Sequence, residues 1–403
     1  MFTIEDKVVV WPELGQNPSV GRVANGDLLV LYADLTDVMA GARHFLVRSD
    51  DGGHTWSKPQ LVVESDLPDG GVGGTLTCLD DLCLISYLEG SDLKRKPKNL
   101  KRSRIIHSTD GGRTWSKPRP INEQVDAAMP LSPFGKIIRI RATGELLMPA
   151  YWWAIAAERR ATGGQDNILS STDDGATWSL KGHITRDPAL EGYFIGETEM
   201  IELADGRLLA ITRGNAEPAS RVPFGFRSIS QDGGATWDTE QINIAICEPR
   251  LIRTQDNRIL LLARSWPGNI VFYYRPLRDD EREPGSSQKE TVDVQVLDDY
   301  RTPVREFGLT LFTTNDDGRT WQPMLTMQNP RPDSVAKYRE MTAANPLLGH
   351  RYQAGYGDIV ALGDDRYFVA YREADPLMPD LRPGLTYSHA FQRFIAGNIV
   401  RIR

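Results

Sequence analysis

One spacing recurs three times in the second half of the sequence. In each case a residue able to hold or exchange a proton is followed, sixteen positions later, by an arginine. The pairs are Glu197 with Arg213, Glu248 with Arg264, and Tyr356 with Arg372. A guanidinium group is planar and donates two parallel hydrogen bonds to a carboxylate. Three arginines brought to one place would therefore bind a carboxylate-bearing ligand, and the neighbouring Glu197 and Glu248 would hold them in position.

These pairs lie within an internal repeat. The phrase "RSDDGGHTW" at 48–56 returns as "HSTDGGRTW", "SSTDDGATW", "SQDGGATW" and "TNDDGRTW", ending at Trp56, Trp115, Trp178, Trp237 and Trp321. Its Asp can accept hydrogen bonds from the backbone of its own turn, its Gly suits a left-handed position, and its Trp can bury a large ring. We interpret the phrase as a structural turn, because one or two carboxylates supply too few oxygens for calcium.

A second phrase precedes most of these turns and predicts the fold. In "VANGDLLVLYA", "LADGRLLAITR" and "LGDDRYFVAYR" a turn pair is followed by an apolar strand. Each unit thus reads as four antiparallel strands, and no segment has the apolar period of a helix. The sequence predicts an all-β fold, a six-bladed β-propeller of four-stranded blades with Asp-box turns. Residues 1–403 would form one domain, with "DKVVVW" supplying the fourth strand of the last blade.

Aligning the six units predicts where the site lies. We expect ligands at the channel mouth where inner strands begin and second strands end, whereas the turn phrases lie at the opposite end of each blade. The predicted starts of the inner strands are Asn17, Gly73, Gly135, Glu197, Glu248 and Tyr356. The predicted ends of the second strands are Ala33, Glu89, Tyr151, Arg213, Arg264 and Arg372. The three sixteen-residue pairs therefore fall on three consecutive blades at one mouth.

The turn phrases resemble the Asp-box (BNR) repeats of the sialidase, or neuraminidase, superfamily. "ETEMIELADGRLLAITR" is similar to a sialidase strand pair, which implies Glu197 as the base and Arg213 as a carboxylate-binding arginine. Arg264 in "LLLARS" would be another such arginine, and "GYGDIVAL" resembles the stretch that holds the nucleophile, which implies that role for Tyr356.

A tyrosine nucleophile has a physical reason in this family. Sialidases use tyrosine where most glycosidases use a carboxylate. The anomeric carbon of the substrate bears a carboxylate, so a neutral phenol approaches it more easily than an anion. Glu248 is the alternative to Glu197 as the partner of Tyr356.

The sequence departs from the family at two places. Gln16 in "GQNPSV" stands where sialidases carry an arginine, and Arg372 is a candidate to compensate for it. The family's acid is an aspartate in the loop that here reads "ADLTDVMAGARH", which offers Asp34 and Asp37. The acid must lie within hydrogen-bonding reach of the leaving oxygen.

The leading hypothesis is a sialidase-like exo-glycoside hydrolase that acts on a terminal acidic sugar. One alternative is a polysaccharide lyase or other glycosidase acting on uronate-containing glycans. In it arginines neutralise the carboxylate, and Tyr356 or a histidine at the mouth, with His350, His389 and His44 as candidates, removes a proton. Tyr151 could stack on a sugar in either case. A non-catalytic glycan-binding propeller is the third hypothesis. The sequence specifies neither the sugar and its linkage nor an oligomeric state.

Composition and motifs limit the other possibilities. The net charge of -7 gives no basis for a nucleic-acid partner, and no apolar run is long enough to span a membrane. We find no motif for a metal or an organic cofactor and expect none. The start "MFTIEDKVVVW" does not read as a signal peptide, which predicts a cytoplasmic protein unless a leader has been removed.

Overall fold

The structure is a computed structural model that describes most of the chain. The described residues are 2–35, 40–67, 70–91, 101–125, 131–152, 166–184, 193–216, 223–265, 270–276, 290–296, 308–344, 354–379 and 391–402. They form six antiparallel sheets arranged as the blades of a β-propeller, which confirms the predicted fold class.

The strands are numbered along the chain. Those of each blade are given in order from the central channel to the outer rim. The N-terminal strand is β1 (Phe2–Trp11). Blade one contains β2 (Gln16–Arg22), β3 (Leu28–Ala33), β4 (His44–Ser49) and β5 (Gln60–Val63). Blade two contains β6 (Gly70–Leu79), β7 (Leu82–Ser91), β8 (Lys101–Ser108) and β9 (Arg119–Pro120). The short helix α1 (Asn122–Val125) leads into blade three.

Blade three has an inner strand in two pieces. Its strands are β10 (Leu131–Pro133) with β11 (Ile138–Arg139), then β12 (Leu146–Trp152), β13 (Asp166–Ser171) and β14 (Ser179–Ile184). Gly135 falls in the break between β10 and β11. In blades four to six the residue just before the predicted mouth residue lies opposite the end of the second strand. In blade three this would be Phe134, but Ser132 lies opposite Tyr151, so the alignment of this blade was wrong by two residues.

Blades four to six complete the ring. Blade four contains β15 (Tyr193–Glu202), β16 (Leu208–Ala216), β17 (Pro223–Ser230) and β18 (Asp238–Gln241). Blade five contains β19 (Ile246–Arg253), β20 (Ile259–Ser265), β23 (Gly308–Thr314) and β24 (Gln322–Thr326). Blade six contains β25 (Gly355–Gly363), β26 (Arg366–Pro379) and β27 (Phe391–Ile402), and β1 pairs antiparallel with β27 as its outermost strand.

Two elements lie outside the repeat pattern. Blade five carries an inserted hairpin of β21 (Ile270–Pro276) and β22 (Glu290–Val296) between β20 and β23. Helix α2 (Pro332–Ala344) precedes blade six, although no helix was predicted there. Its sequence lacks an apolar stripe, and it is anchored instead by a hydrogen bond of 2.8 Å from the Ser334 hydroxyl to Asp375. No helix in the described part of the chain is long and apolar enough to cross a membrane.

The Asp-box is a self-contained turn. Asp51 Oδ1 accepts the main-chain N–H of Thr55 at 2.9 Å, and Asp51 Oδ2 accepts the Thr55 hydroxyl at 2.6 Å. The Ser49 hydroxyl donates to Asp51 and accepts the N–H of Gly53. The Thr-to-Asp bond recurs at Asp110, Asp173, Asp232 and Asp316. The conserved geometry within this one chain explains why the phrase repeats.

The tryptophan of each box packs between blades. Trp56 of blade one lies with its ring centroid 5.3 Å from that of Phe368 in blade six. Trp321 of blade five is fully buried among residues that include Leu209 and Ile211 of blade four. Burying such rings supplies much of the apolar contact that holds neighbouring blades together.

A buried ionic network joins the inner strands below the mouth. Ser19, Lys136, Glu199, Arg250 and Asp358 form this network, which we name the channel floor. Lys136 Nζ lies 2.9 Å from Asp358, and Arg250 Nη1 lies 3.2 Å from Glu199. Asp358 also accepts the Ser19 hydroxyl at 2.9 Å, so blade six is tied to blades one and three. Four floor residues each lie two positions after a predicted mouth residue; these are Ser19, Glu199, Arg250 and Asp358. On these four strands the mouth residues therefore lie just above the channel floor.

We expect the boxes to make the protein sensitive to acid. The Thr236 hydroxyl and main-chain N–H groups lower the pKa of Asp232 to about 2, below the ordinary value of about 3.9. The stabilisation is therefore complete above that ordinary value and is lost as the pH falls toward 2. Asp232→Asn should lower Tm near neutral pH by about 2 °C and weaken its acid dependence, as measured by calorimetry. Asp238→Asn, just beyond the box, is the control and should change neither quantity; an unaltered Tm for Asp232→Asn would contradict the prediction.

Breaking the channel floor should destabilise the whole propeller. Asp358 is fully buried, so Asp358→Asn leaves Lys136 without its counter-charge and should lower the free energy of unfolding by about 3 kcal/mol. Urea denaturation monitored by tryptophan fluorescence measures this loss. Asp365→Asn in the exposed turn of the same blade is the control. A loss for Asp358→Asn no larger than that of the control would show that the network adds no stability.

Candidate functional site

Four of the six inner strands share an irregularity at the channel mouth. In blade four Gly196 pairs with Arg213 and Glu199 pairs with Ile211, so two residues lie opposite Thr212. This is a one-residue β-bulge. The same shift follows Gln16, Cys247 and Gly355 in blades one, five and six. In blade two the strand pairing is continuous, and Gly73 lies opposite Leu88.

The first residue of each bulge has a left-handed backbone. The φ angles are 47° at Asn17, 58° at Glu197, 56° at Glu248 and 47° at Tyr356. This conformation costs about 1–2 kcal/mol for residues other than glycine. Such strain persists only where surrounding contacts impose it, and it is concentrated at functional sites. Four of the six predicted mouth positions thus share one strained geometry.

Glu197 joins two blades at this level. Arg213 Nη1 donates to both carboxylate oxygens of Glu197, at 2.8 and 2.9 Å. The main-chain N–H of Glu248 donates to Glu197 Oε2 at 3.2 Å. The carboxylate of one bulge thus holds its own arginine and the backbone of the next bulge.

Glu248 repeats this arrangement one blade further. Arg264 Nη2 lies 2.6 Å from Glu248 Oε1, and the main-chain N–H of Tyr356 donates to Glu248 Oε2 at 2.7 Å. We name this chain of contacts from Glu197 through Glu248 to Tyr356 the carboxylate relay. Three of the predicted site residues are thus linked, each to the next, around the mouth.

Tyr356 lies between two of the arginines. The guanidinium carbon of Arg372 is 4.6 Å from the centroid of the Tyr356 ring, and that of Arg264 is 5.9 Å away. A Cβ atom built on Gly355 would come within 3.3 Å of atoms of Arg372, Arg264 and Glu248. The predicted residues of blades five and six therefore converge, and Arg213 joins them through Glu197.

The blade-one position that lacks an arginine still contacts this cluster. Gln16 is buried, and Arg372 Nη1 donates to Gln16 Oε1 at 3.3 Å. Arg372 thus reaches from blade six to the residue that replaces the family's first arginine. The positive charge is present at the mouth, but on the neighbouring blade.

The bulge of blade four contacts a buried aspartate, Asp166, which no sequence pattern indicated. The Thr198 hydroxyl donates to Asp166 of blade three and lies 2.6 Å from the Thr212 hydroxyl. Burial raises the pKa of Asp166 to about 7, although Thr198 opposes the shift. Asp166 begins a third strand, a position that the alignment of inner and second strands did not sample.

Blade six contributes two further charged residues that the sequence did not single out. Arg393 lies near the start of its third strand, which the alignment did not sample, and Glu373 follows Arg372 in its second strand; both are buried. Burial raises the pKa of Glu373 to about 8, against the attraction of Arg393 and Arg372. Burial and the nearby Arg372 and Arg264 lower the pKa of Arg393 well below its usual range.

The other predicted residues are less central or fall outside the described residues. Both oxygens of Asp34 accept hydrogen bonds from Arg43, including one of 2.8 Å from Nη2. Tyr151 is buried opposite Asp166 in blade three. Asp37 and His350 lie outside the described residues. Within the described part of the chain no cluster of three His, Cys, Asp or Glu side chains could hold a metal ion.

Two family models and several curated proteins are similar to parts of this chain. The BNR repeat-like domain family matches residues 152–275, and the BNR/Asp-box repeat family matches residues 106–117. A sialidase from Micromonospora viridifaciens is 30% identical over 296 residues, which cover 62% of this chain and 44% of that protein. The chain spans about half the length of the curated relatives it matches.

Solved structures show the same fold. A protein of unknown function from Dyadobacter fermentans superimposes with a TM-score of 0.64 at 18% identity, covering 100% of this chain and 99% of the other. A Trypanosoma rangeli sialidase in complex with the inhibitor DANA gives a TM-score of 0.58 at 13% identity, covering 97% of this chain and 55% of the other. With its Asp-box turns and its sialidase relatives, the chain is similar to the BNR-repeat β-propellers of the sialidase superfamily.

Proposed function

We propose that this propeller is a glycoside hydrolase of the sialidase type, which removes a terminal acidic sugar from a glycan. The observation that carries the proposal is the carboxylate relay, which holds Tyr356 between Arg264 and Arg372. The sialidases among its relatives support a sugar such as sialic acid as the substrate class. The arginines would bind the sugar carboxylate and place its anomeric carbon near the phenol.

The two glutamates have different roles in this proposal. The side chain of Glu197 is 11% exposed at the mouth, whereas that of Glu248 is 1% exposed and holds Arg264. A base must reach both the phenol and the substrate-filled space, which favours Glu197. Glu248 is then a positioning residue that fixes the backbone of Tyr356.

The reaction has two balanced steps. In the first, the Tyr356 oxygen bonds to the anomeric carbon, Glu197 takes the phenol proton, and an acid protonates the departing oxygen as the glycosidic bond breaks. In the second, water attacks the same carbon and gives its proton to the deprotonated acid. The bond to the Tyr356 oxygen breaks, and Glu197 returns the proton to it.

Asp37 is the proposed acid. Asp34 is the other candidate in the same loop, but both of its oxygens already accept hydrogen bonds from Arg43. A carboxyl group held in this way is poorly placed to donate a proton to a leaving group. The role therefore falls to Asp37, which lies outside the described residues.

One candidate base for elimination is inaccessible. His44 is fully buried, and burial lowers its pKa to about 4, which removes it as a base for a lyase at the mouth. His350 and His389 lie outside the described residues. Incubation with a uronate glycan distinguishes the two reactions, because elimination gives an unsaturated product that absorbs ultraviolet light and hydrolysis does not.

Tyr356→Phe should reduce turnover of an aryl sialoside at least 100-fold, because it removes the nucleophile. Release of the aryl group, followed by absorbance, measures the change. Tyr367→Phe, a buried tyrosine of the same blade, is the matched control and should retain activity. Equal turnover by wild type and Tyr356→Phe would refute the mechanism. If the wild-type protein binds the sialoside but does not hydrolyse it, the propeller is a glycan-binding protein instead.

Asp37→Asn should affect substrates according to their leaving groups. A sugar leaving group needs a proton, so hydrolysis of a sialyl-oligosaccharide should fall about 100-fold or more. An aryl leaving group departs without one, so the aryl sialoside should lose much less. Asp34→Asn is the control, with little change for either substrate. If Asp34→Asn gives the selective loss instead, the acid has been assigned to the wrong residue.

A further inference from the structure

The first hairpin of blade two places two cysteines directly opposite each other. Its strands β6 and β7 are joined by a turn at residues 80 and 81, and Cys78 pairs with Cys83 across them. Opposed residues of an antiparallel pair lie on one side of the sheet, with Cα atoms about 4.5–5.5 Å apart. A disulfide requires a Cα separation of about 4.4–6.8 Å. The backbone of this hairpin therefore has the spacing that a disulfide needs.

The two thiols are in contact with each other. Their Sγ atoms lie 2.8 Å apart, and both cysteines are free. The third cysteine of the chain, Cys247, is on the inner strand of blade five. A reaction between neighbouring thiols would therefore join Cys78 to Cys83 within one blade.

The adjoining blade is shaped around this pair. A Cβ atom built on Gly21 of β2 would overlap the Sγ atom of Cys78, so glycine at this position leaves room for the sulfur. Cys83 is fully buried in an apolar cluster that includes Val23 and Leu29 of blade one. Cys78 packs against the edge of the same cluster and is partly exposed. One sulfur is thus accessible to a small reagent, whereas the other is reached through the first.

The pair is remote from the channel mouth. Gly73, the predicted mouth residue of blade two, precedes Cys78 on β6 by a strand length of about 16 Å. The turn beyond the cysteines contacts the Asp-box of the same blade instead, because the N–H of Gly111 donates to the main-chain oxygen of Asp81 at 3.1 Å. Chemistry at this pair is therefore separate from the carboxylate relay.

We propose that Cys78 and Cys83 are a reversible redox site, which hydrogen peroxide converts to a disulfide across the first hairpin of blade two. The Cys78 sulfur bonds to one peroxide oxygen, the O–O bond breaks, and the other oxygen leaves as water with the thiol proton. The Cys83 sulfur then bonds to the Cys78 sulfur, the S–O bond breaks, and a second water carries away the Cys83 proton. Each sulfur loses one electron, and the peroxide is reduced to two waters.

The surroundings of Cys78 set the pace of this reaction. Contact with Cys83 and burial raise the pKa of the Cys78 thiol well above its ordinary value, against the opposing charges of Lys136 and Arg48. The thiolate is the form that attacks an oxidant. The pair should therefore stay reduced in the absence of peroxide, and its oxidation should become faster as the pH rises.

Counting free thiols by mass spectrometry, after alkylation in denaturant, tests the site. The reduced chain has three cysteines, and peroxide treatment of the native protein should leave only Cys247 alkylated. The tryptic peptide that holds both Cys78 and Cys83 should lose two hydrogens, and dithiothreitol should restore all three thiols. Cys247→Ser is the control and should lose the same two thiols. Three free thiols after treatment, or uptake of oxygen that dithiothreitol does not reverse, would overturn the proposal.

Two serine variants test the order of the steps. Cys83→Ser should stop at the sulfenic acid of Cys78, which dimedone labels, whereas Cys78→Ser should leave the buried Cys83 unlabelled. Labelling of Cys83 in the second variant would contradict the assignment of Cys78 as the first thiol.

The disulfide should also stabilise the oxidised protein slightly. It closes a short loop, so oxidised wild type should melt about 2 °C above reduced wild type in calorimetry. Cys78→Ser should melt at one temperature with or without peroxide. An equal shift in wild type and Cys78→Ser would show that the change arises elsewhere and would count against the site.

Discussion

The mouth depends on hydrogen bonds between a main-chain N–H and the carboxylate of the preceding blade. Tyr356 donates to Glu248, and the backbone of Glu248 donates to Glu197. Each bond holds a left-handed residue that the backbone alone would disfavour. Because each glutamate also contacts an arginine, backbone strain and side-chain charge are balanced by the same two carboxylates. The bulges of blades five and six are therefore coupled to Arg213 and Arg264 through these two carboxylates.

The two ends of each blade are specialised for different purposes. The Asp-box end is made of local hydrogen bonds between residues a few positions apart, and its tryptophan packs against the preceding blade. The mouth end is made of contacts between residues far apart in sequence, such as Arg372 with Gln16. The channel floor separates them and holds the inner strands at one level. A stable repeat thus supports a mouth whose residues differ from blade to blade.

Periodic features could be predicted from the sequence, and unique contacts could not. The blade count followed from the repeated turns, and the sixteen-residue spacing marked Glu197 with Arg213 because a hairpin of fixed length brings these positions together. The carboxylate relay consists of main-chain hydrogen bonds between neighbouring blades, which a spacing within each blade does not specify. Asp166 begins the third strand of its blade and Arg393 lies near the start of the third strand of blade six, where no repeated phrase precedes them. Helix α2 is anchored by the hydrogen bond from Ser334 to Asp375, and its sequence has no apolar stripe that would have predicted it.

The pairing of β1 with β27 has a consequence for assembly. Phe2 lies opposite Ile402, so the sheet that carries Tyr356 and Arg372 is finished by the far end of the chain. Joining such distant segments closes a very long loop, which is entropically slow. Until β1 arrives, β27 presents an open edge that the same strand of another molecule fits equally well. This blade is therefore the place where an exchange of strands between two copies would leave each ring complete.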